Sequence, residues 1–261
     1  MRIEFLTQDD PIYIFPFFDE FLRNYSSEFT ITQISCCRAM GKRPRVQLLR
    51  ELTLLYGWAG MARLLGLLAK ARVMGRLGLG PNASGYYDLS QVARGYGIPF
   101  KRIGNPNAQE FVDSARERRP DVIVSVACPY ILRDALLSVP PRGCLNIHHA
   151  PLPRYKGMMP TFWQMFHGEK AVGVTVHFMV GKVDEGQALL QESLEILEEE
   201  SLHSLILRSK RYGAHCMARV LRQMETHSHG SKSLASADSS YFTFPTSAEI
   251  REFHRRGFRA M

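Results

Sequence analysis

Residues 121–132 read Asp121-Val-Ile-Val-Ser-Val-Ala-Cys-Pro-Tyr-Ile-Leu132, and residues 143–157 read Gly143-Cys-Leu-Asn-Ile-His-His-Ala-Pro-Leu-Pro-Arg-Tyr-Lys-Gly157. The run 121–127 is nearly unbroken apolar and rich in Val and Ile. That is the composition of a strand covered on both faces, and such strands belong to parallel sheets. A helix is predicted over 131–137, and a second strand over 143–147. Strand, helix, strand in this order is the parallel crossover unit. The Pro-Leu-Pro after the second strand turns the chain away from the sheet.

The same alternation extends in both directions. Residues 2–7 and 29–34 have strand patterning, and 12–24 forms an aromatic-rich helix. Helices are predicted over 87–96 and 109–119, the latter ended by Pro120, with a short strand at 98–103 between them. Gly78 to Asn82 is a loop. Pro160 suits the first turn of a helix over 160–167. Two strand-like runs, 173–180 and 187–197, enclose a loop that carries Asp184. Glu198, Glu199 and Glu200 precede a helix over 201–223, where acids complement the positive end of its dipole. The expected fold is α/β: a Rossmann-like doubly wound, mostly parallel sheet with a C-terminal antiparallel addition and a helical insertion at 46–77. Residues 1–223 then make one domain, 224–240 a polar linker, and 241–261 a tail with Tyr241 to Pro245 docked and a basic helix at 247–256. There is no internal repeat.

At 261 residues, 45% hydrophobic and 22% charged, the composition is that of a soluble globular protein. The net charge is +8, and much of the excess is local. Between Gly41 and Arg76 stand Lys42, Arg43, Arg45, Arg50, Arg63, Lys70, Arg72 and Arg76 against a single acid, Glu51. Leu48, Leu49, Leu52, Leu55, Leu64, Leu65, Leu67 and Leu68 give the same segment a wide apolar face. It reads first as a packed insertion. A homodimer contact, or a surface that meets anionic lipid or nucleic acid, are the other readings. Few aromatics (Tyr56, Trp58) stand among the charges, so nucleic acid is the weakest of them.

Five cysteines (Cys36, Cys37, Cys128, Cys144 and Cys216) are an odd number without a CxxC. This argues against a disulfide framework or a zinc site and for reduced thiols, most of them in the core. His227 and His229 are too few for a metal site, and no metal is expected. The N-terminus opens on the strand-like Ile3-Glu4-Phe5-Leu6 with no basic-then-apolar layout. No 18-residue stretch is free of charge, so no transmembrane segment is expected. The expected location is cytoplasmic.

The chemistry concentrates at Asn146, His148 and Asp184. In an open parallel sheet, ligands bind at the carboxyl ends of the strands, where Asn146 and His148 stand. An amide can donate to an oxyanion, and an imidazole can move a proton. A carboxylate beside the imidazole would orient it and raise its pKa. Together these are the parts for moving an acyl group between nitrogens. His149 is expected to point the opposite way in a structural role. His177 lies mid-strand, and the sequence leaves its face open.

The segment resembles the catalytic core of the folate-dependent formyltransferases, a family that includes sugar N-formyltransferases, methionyl-tRNA formyltransferase and glycinamide ribonucleotide formyltransferase. The family pattern is Asn-x-His, Leu-Pro-x-x-x-Gly and Asp-x-Gly. Here it stands as Asn146 and His148, then Leu152, Pro153 and Gly157, then Asp184 and Gly186. The resemblance covers about 95–210 and more loosely the N-terminal strands. It implies 10-formyltetrahydrofolate as formyl donor, with Asn146 and protonated His148 stabilising the tetrahedral oxyanion and Asp184 supporting His148. It also implies a pteridine site between two loops, Cys128, Tyr130, Ile131 and Leu132 on one side and Val180, Gly181, Lys182 and Val183 on the other. Two departures bear on the reading. Ala150 stands where the family usually has Ser. Thr7-Gln-Asp-Asp-Pro11 has no glycine where the glycinamide ribonucleotide enzymes have a phosphate loop, which disfavours that substrate.

The expected acceptor is a small amine, foremost a nucleotide-linked amino sugar. Rivals are methionyl-tRNA, which the short stretch after Lys210 disfavours, a hydroxyornithine-type amine, and water, as in a formyltetrahydrofolate hydrolase. A non-catalytic folate sensor is disfavoured by the intact Asn146, His148 and Asp184. The loops 78–86 and Tyr241 to Pro245 are candidate acceptor contacts.

Overall fold

The computed structural model describes residues 1–38, 44–76, 88–234 and 238–261. Its centre is a seven-stranded sheet built from β1 (Arg2–Gln8), β2 (Thr30–Cys37), β3 (Phe100–Ile103), β4 (Val122–Val126), β5 (Cys144–His148), β7 (Ala171–Phe178) and β8 (Ala188–Glu195). The order across the sheet is β3-β2-β1-β4-β5-β7-β8. The first five strands run parallel, and β7 and β8 are antiparallel additions. The order reverses between β1 and β4, which opens a crevice at their carboxyl ends.

Helices α1 (Phe15–Tyr25) and α7 (Leu202–Glu225) cover one face. Phe17, Phe18 and Phe21 of α1 and Ala214, Met217 and Leu221 of α7 pack there on Phe5, Val124 and Ile147. Phe5 meets Phe18 and Phe21 edge-on at 5.3 and 5.2 Å, the geometry aromatic quadrupoles favour. The other face packs against α4 (Gln109–Arg118) and α5 (Asp134–Leu137) through Phe111, Val112, Leu132 and Leu136. Buried Glu4 in β1 is neutralised across this layer by Arg118, which donates to both its oxygens at 2.9 and 2.8 Å. The short α3 (Leu89–Gly95) is capped by Asp88, which accepts from the Gln91 N–H. A further core joins α2 (Arg45–Arg76), α6 (Pro160–Phe166) and α8 (Ser247–Arg255), with Phe162 stacked on Phe253 at 4.8 Å.

Three local departures from the sequence reading have identifiable causes. The helix expected over 131–137 starts at Asp134. Ile131 to Arg133 stay extended because the Asn107 side chain donates to the Ile131 carbonyl and accepts from the Arg133 N–H. The helix expected from residue 12 starts at Phe15, because the Asp10 carboxylate takes the Ile12 and Tyr13 N–H groups in a turn. The helical insertion expected over 46–77 is broken at Gly57, at φ +66°, while Gly60, Gly66 and Gly75 stay helical. The sequence also hides a two-stranded parallel pair, β6 (Lys156–Gly157) with β9 (Tyr241–Phe242), too short to have a periodicity. Trp163 donates to the Thr243 carbonyl at 2.9 Å and fastens the same tail to α6.

Val46–Met74 is long and apolar enough to cross a membrane by length and composition. The sequence reading expected no such segment because charges interrupt it. In the structure Leu55, Tyr56, Met61 and Leu64 of this helix are buried in the core it shares with α6 and α8.

Candidate active site

The antiparallel addition sets which side chains meet. Asn146 of β5 pairs with His177 of β7, and His148 pairs with Thr175. Directly paired residues share a face, so Asn146, His148, Thr175 and His177 lie on one side. The Asn146 amide nitrogen is 3.2 Å from His177 Nε2. His177 Nδ1 is 2.8 Å from the Phe178 carbonyl, which can only accept, so Nδ1 carries the proton. In the neutral ring Nε2 therefore accepts from Asn146. The same logic fixes His148, whose Nε2 donates to the Tyr155 carbonyl at 2.8 Å and leaves Nδ1 to face Asp184.

Asp184 stands between the two imidazoles. Its Oδ2 is 3.6 Å from His148 Nδ1, and its Oδ1 is 3.6 Å from His177 Nε2. The glycines of the motif explain how it is held. The Gly157 N–H donates to Asp184 Oδ2 at 3.1 Å. Gly157 has φ +92°, and a Cβ there would lie 2.3 Å from the Phe242 carbonyl oxygen. At Gly186 a Cβ would fall 1.7 Å from the Phe178 oxygen, so the loop carrying Asp184 can close onto β7 only at a glycine. Asp184 itself takes a left-handed backbone, φ +52°.

Burial pushes the Asp184 carboxyl up, but His177, His148 and the Gly157 N–H outweigh it and bring it down to about 2. Burial dominates at His148 and pulls its pKa below the usual histidine value; Asp184 opposes this without overcoming it. The carboxylate raises the His148 pKa as expected, but burial outweighs it, and the protonated His148 that the family resemblance implied is corrected. The ring rests neutral at pH 7, because desolvation of an imidazolium at 8% exposure costs more than the carboxylate returns.

A cleft of about 260 Å³ opens over Asn146, His177 and Asp184. Cys128, Tyr130, Ile131 and Leu132 line one wall, and Val180, Lys182 and Val183 the other; Gly181 is in the loop but not on the wall. His148 lies behind Asp184, off the cleft wall. Ile131, Val180 and Val183 are exposed, which gives the mouth apolar flanks above a polar floor. A flat heteroaromatic ring with polar edges fits such a slot. Tyr241 of the tail also lines it, while the loop 78–86 falls outside the described residues. Among the described residues no cluster of His, Cys, Asp and Glu could hold a metal ion.

Cys36, Cys37, Cys144 and Cys216 are buried and Cys128 half-buried, all five free. His149 points away from the site onto α7, where a Cβ on Gly213 would touch its ring at 3.0 Å. Ala150 is fully buried, and its carbonyl accepts from the Thr175 hydroxyl at 2.6 Å. That bond uses only the backbone of the turn, so Ala serves at this position.

Two residues escaped the sequence reading. His177 was left open, although Gly173, Thr175 and His177 alternate with Val172, Val174 and Val176 and so already mark one face. Lys210 of α7 carried no signal. Burial pushes its ammonium down to about 8, against the pull of Asp10, and its charge acts on both His148 and His149. Asp10 belongs to a second cavity, of about 650 Å³, at the carboxyl ends of β1 and β3, between Asp9, Arg102 and the inner side of α2.

Comparison with known proteins places these features in company. A family model described as formyl transferase matches residues 93–221. A methionyl-tRNA formyltransferase from Trichlorobacter lovleyi is 35% identical over 138 residues, 53% of this chain and 44% of that protein. One from Pelobacter propionicus is 39% identical over 133 residues, 51% and 42%. The chain thus matches less than half the length of these curated relatives. Among solved structures, a sugar N-formyltransferase from Shewanella sp aligns with TM-score 0.57 at 17% identity, covering 94% of this chain and 77% of that one. A phosphoribosylglycinamide formyltransferase from Anaplasma phagocytophilum gives 0.59 at 16% identity, covering 93% and 97%. An N-formyltransferase from Helicobacter canadensis, in complex with folinic acid and dTDP-3-aminofucose, gives 0.57 at 14% identity, covering 96% and 78%.

Proposed function

With residues 93–221 matched by a family model described as formyl transferase, we propose that the protein transfers a formyl group from 10-formyltetrahydrofolate to a small amine, foremost an amino sugar carried on a nucleotide. The observation that carries this is the convergence of Asn146, His177 and Asp184 on the floor of a cleft with His148 immediately behind. The folate supplies an activated formyl group on nitrogen. Every other part is the chain's own.

The loops 128–132 and 180–183 hold the pteridine edge-on, so that the formyl carbon lies over Asn146. The Asn146 amide has two N–H groups. One is spent on His177, and the other is free for the formyl oxygen as negative charge builds there. A donor so placed is worth roughly 3–4 kcal/mol of barrier. The acceptor must attack as a neutral amine and then shed a proton. Neutral His148 offers Nδ1 for that proton, and the carboxylate of Asp184 stabilises the imidazolium that results; the proton then goes to the folate nitrogen as its bond to the formyl carbon breaks, which releases tetrahydrofolate and the formylated amine. His148 therefore acts as a base at rest, rather than as the resting cation that the family resemblance implied.

The larger cavity beside Asp9 and Asp10 is the acceptor side of this reading. Its size suits an acceptor larger than a free amino acid, and Lys210 connects it electrostatically to His148. The relatives at 35% and 39% identity favour a second acceptor, the amino group of methionyl-tRNA. Incubation with 10-formyltetrahydrofolate, first alone and then with nucleotide-linked amino sugars, hydroxyornithine or methionyl-tRNA, separates these. Tetrahydrofolate release that requires an amino sugar supports the proposal. Release that requires methionyl-tRNA replaces the acceptor, and release without any amine makes the protein a hydrolase.

A further inference from the structure

Helix α2 is apolar on two opposite faces. The inner face, with Leu55, Tyr56, Met61, Leu64 and Ala71, is buried. Beyond the break at Gly57, the outer face carries Trp58, Ala62, Gly66, Ala69 and Val73, spaced by three or four residues and all exposed. Leu65 flanks them. Trp58 is 84% exposed, and Leu65 and Val73 are 55% and 53%. A helix that is apolar all round is ordinarily covered all round; among the described residues, only the inner face of this one is covered.

The charges on the helix choose the missing neighbour. Residues 58–74 contain Arg63, Lys70 and Arg72 and no acid. At 100° per residue, Arg63 and Lys70 fall along one edge of the outer face, while Arg72 lines the larger cavity with Asp9, Asp10 and Asp88. Pairing this face with its copy on a second chain would bring four cations together with no acid of residues 58–74 between them. An anionic lipid surface offers the opposite charge along that edge and an apolar layer beneath.

We propose that the outer face of α2 docks flat on an anionic lipid bilayer. Trp58 and Val73 sit at the boundary of headgroups and acyl chains, where indole rings favour the mixed environment. Arg63 and Lys70 lay their stems along the apolar layer and present their charges to lipid phosphates. The helix lies on the membrane without crossing it, because its inner face is committed to the core with α6 and α8 and Gly57 breaks its axis. The net charge of +8 draws the whole chain to the same surface. Leu64, Leu68 and Ala71 of the same helix wall the larger cavity from the inner side, so the docked helix lies between that cavity and the lipid. The inference stands whether or not the formyl transfer reading holds.

The test is sedimentation of the purified full chain with vesicles of phosphatidylcholine alone and of phosphatidylcholine mixed with phosphatidylglycerol. Binding is expected only to the mixed vesicles, to fall with added salt, and to shift Trp58 emission to the blue, the other tryptophan, Trp163, being buried already. Trp58→Ala, and separately Arg63→Glu with Lys70→Glu, should each weaken vesicle binding tenfold or more at unchanged thermal midpoint. Equal binding to both vesicle types, or binding to neither, would overturn the proposal. So would a concentration-dependent dimer in light scattering that Trp58→Ala dissolves, since that would make the face a contact between copies.

Discussion

The site around Asp184 and the outer half of α2 are opposites in how they use side chains. Within a few ångströms of Asp184, two histidines, a glycine N–H and the Asn146 amide are each held by a backbone or side-chain partner. Almost nothing there is exposed, and the backbone itself is left-handed at Asp184 and Gly157. On α2, large apolar side chains face outward in a regular helix with no such network. Burial with complete hydrogen bonding fixes atoms to the tolerance that chemistry needs. A bare apolar face fixes nothing within the chain and is suited to meeting something outside it. Substitutions in the first region should therefore change rate and pH response, and substitutions in the second should change neither.

The largest expected effect is at His148. His148→Ala removes the proton acceptor and should lower turnover roughly 10²- to 10⁴-fold, measured by tetrahydrofolate release, with folate binding retained in equilibrium titration. Turnover within a few-fold of the parent would place the base elsewhere.

Asp184→Asn comes next, and its signature is a pH profile. With its folded pKa held low, His148 loses its base function only as pH falls below the ordinary histidine value of about 6.5. Asp184 pulls that pKa upward, so its neutral replacement should move the acid limb of kcat/KM to lower pH while lowering the plateau. A limb that moves upward would show that Asp184 does not face the titrating ring. The same shifts govern stability. An unfolded chain binds protons at His148 before the folded one does, so stability should decline as pH falls through about 6.5. The contribution of Asp184, whose folded pKa is about 2, should persist above the unfolded carboxylate value and vanish as pH falls toward 2. Urea titrations across this range would read both.

Gly157→Ala acts on the frame. The backbone conformation alone costs about 1–3 kcal/mol for a residue with a Cβ, and the contact with Phe242 adds to it. A drop in thermal midpoint with separation of the tail from β6 is expected, and tail separation can be followed by proteolysis near Tyr241. The smallest effect is at Trp58. Trp58→Ala should leave stability within about 0.5 kcal/mol and turnover on a soluble amine unchanged; a tenfold loss of turnover would join α2 to the chemistry and erase the contrast between the regions.

Much of the fold was readable because strands β1, β2, β4 and β5 are apolar and β-branched, and helices between them carry clear breakers such as Pro120. The ends were less readable where side chains set them, as Asp10 delays α1 and Asn107 delays α5. At the site, Asn146, His148 and Asp184 stood out through their spacing and flanking glycines. The face of His177 depended on its register with β5, and Lys210 depended on how α7 packs against the sheet; neither is written in local sequence. The His148 pKa was misjudged because sequence shows the neighbouring carboxylate but not the burial that outweighs it.

The most direct test of formyl transfer through this site is a single-turnover measurement on Asn146→Ala, with 10-formyltetrahydrofolate bound and the accepted amine added. Loss of the oxyanion donor should slow transfer by roughly 10²- to 10³-fold while folate affinity and thermal midpoint stay at the parent values. Transfer at the parent rate would contradict the role of Asn146 and, with it, the site.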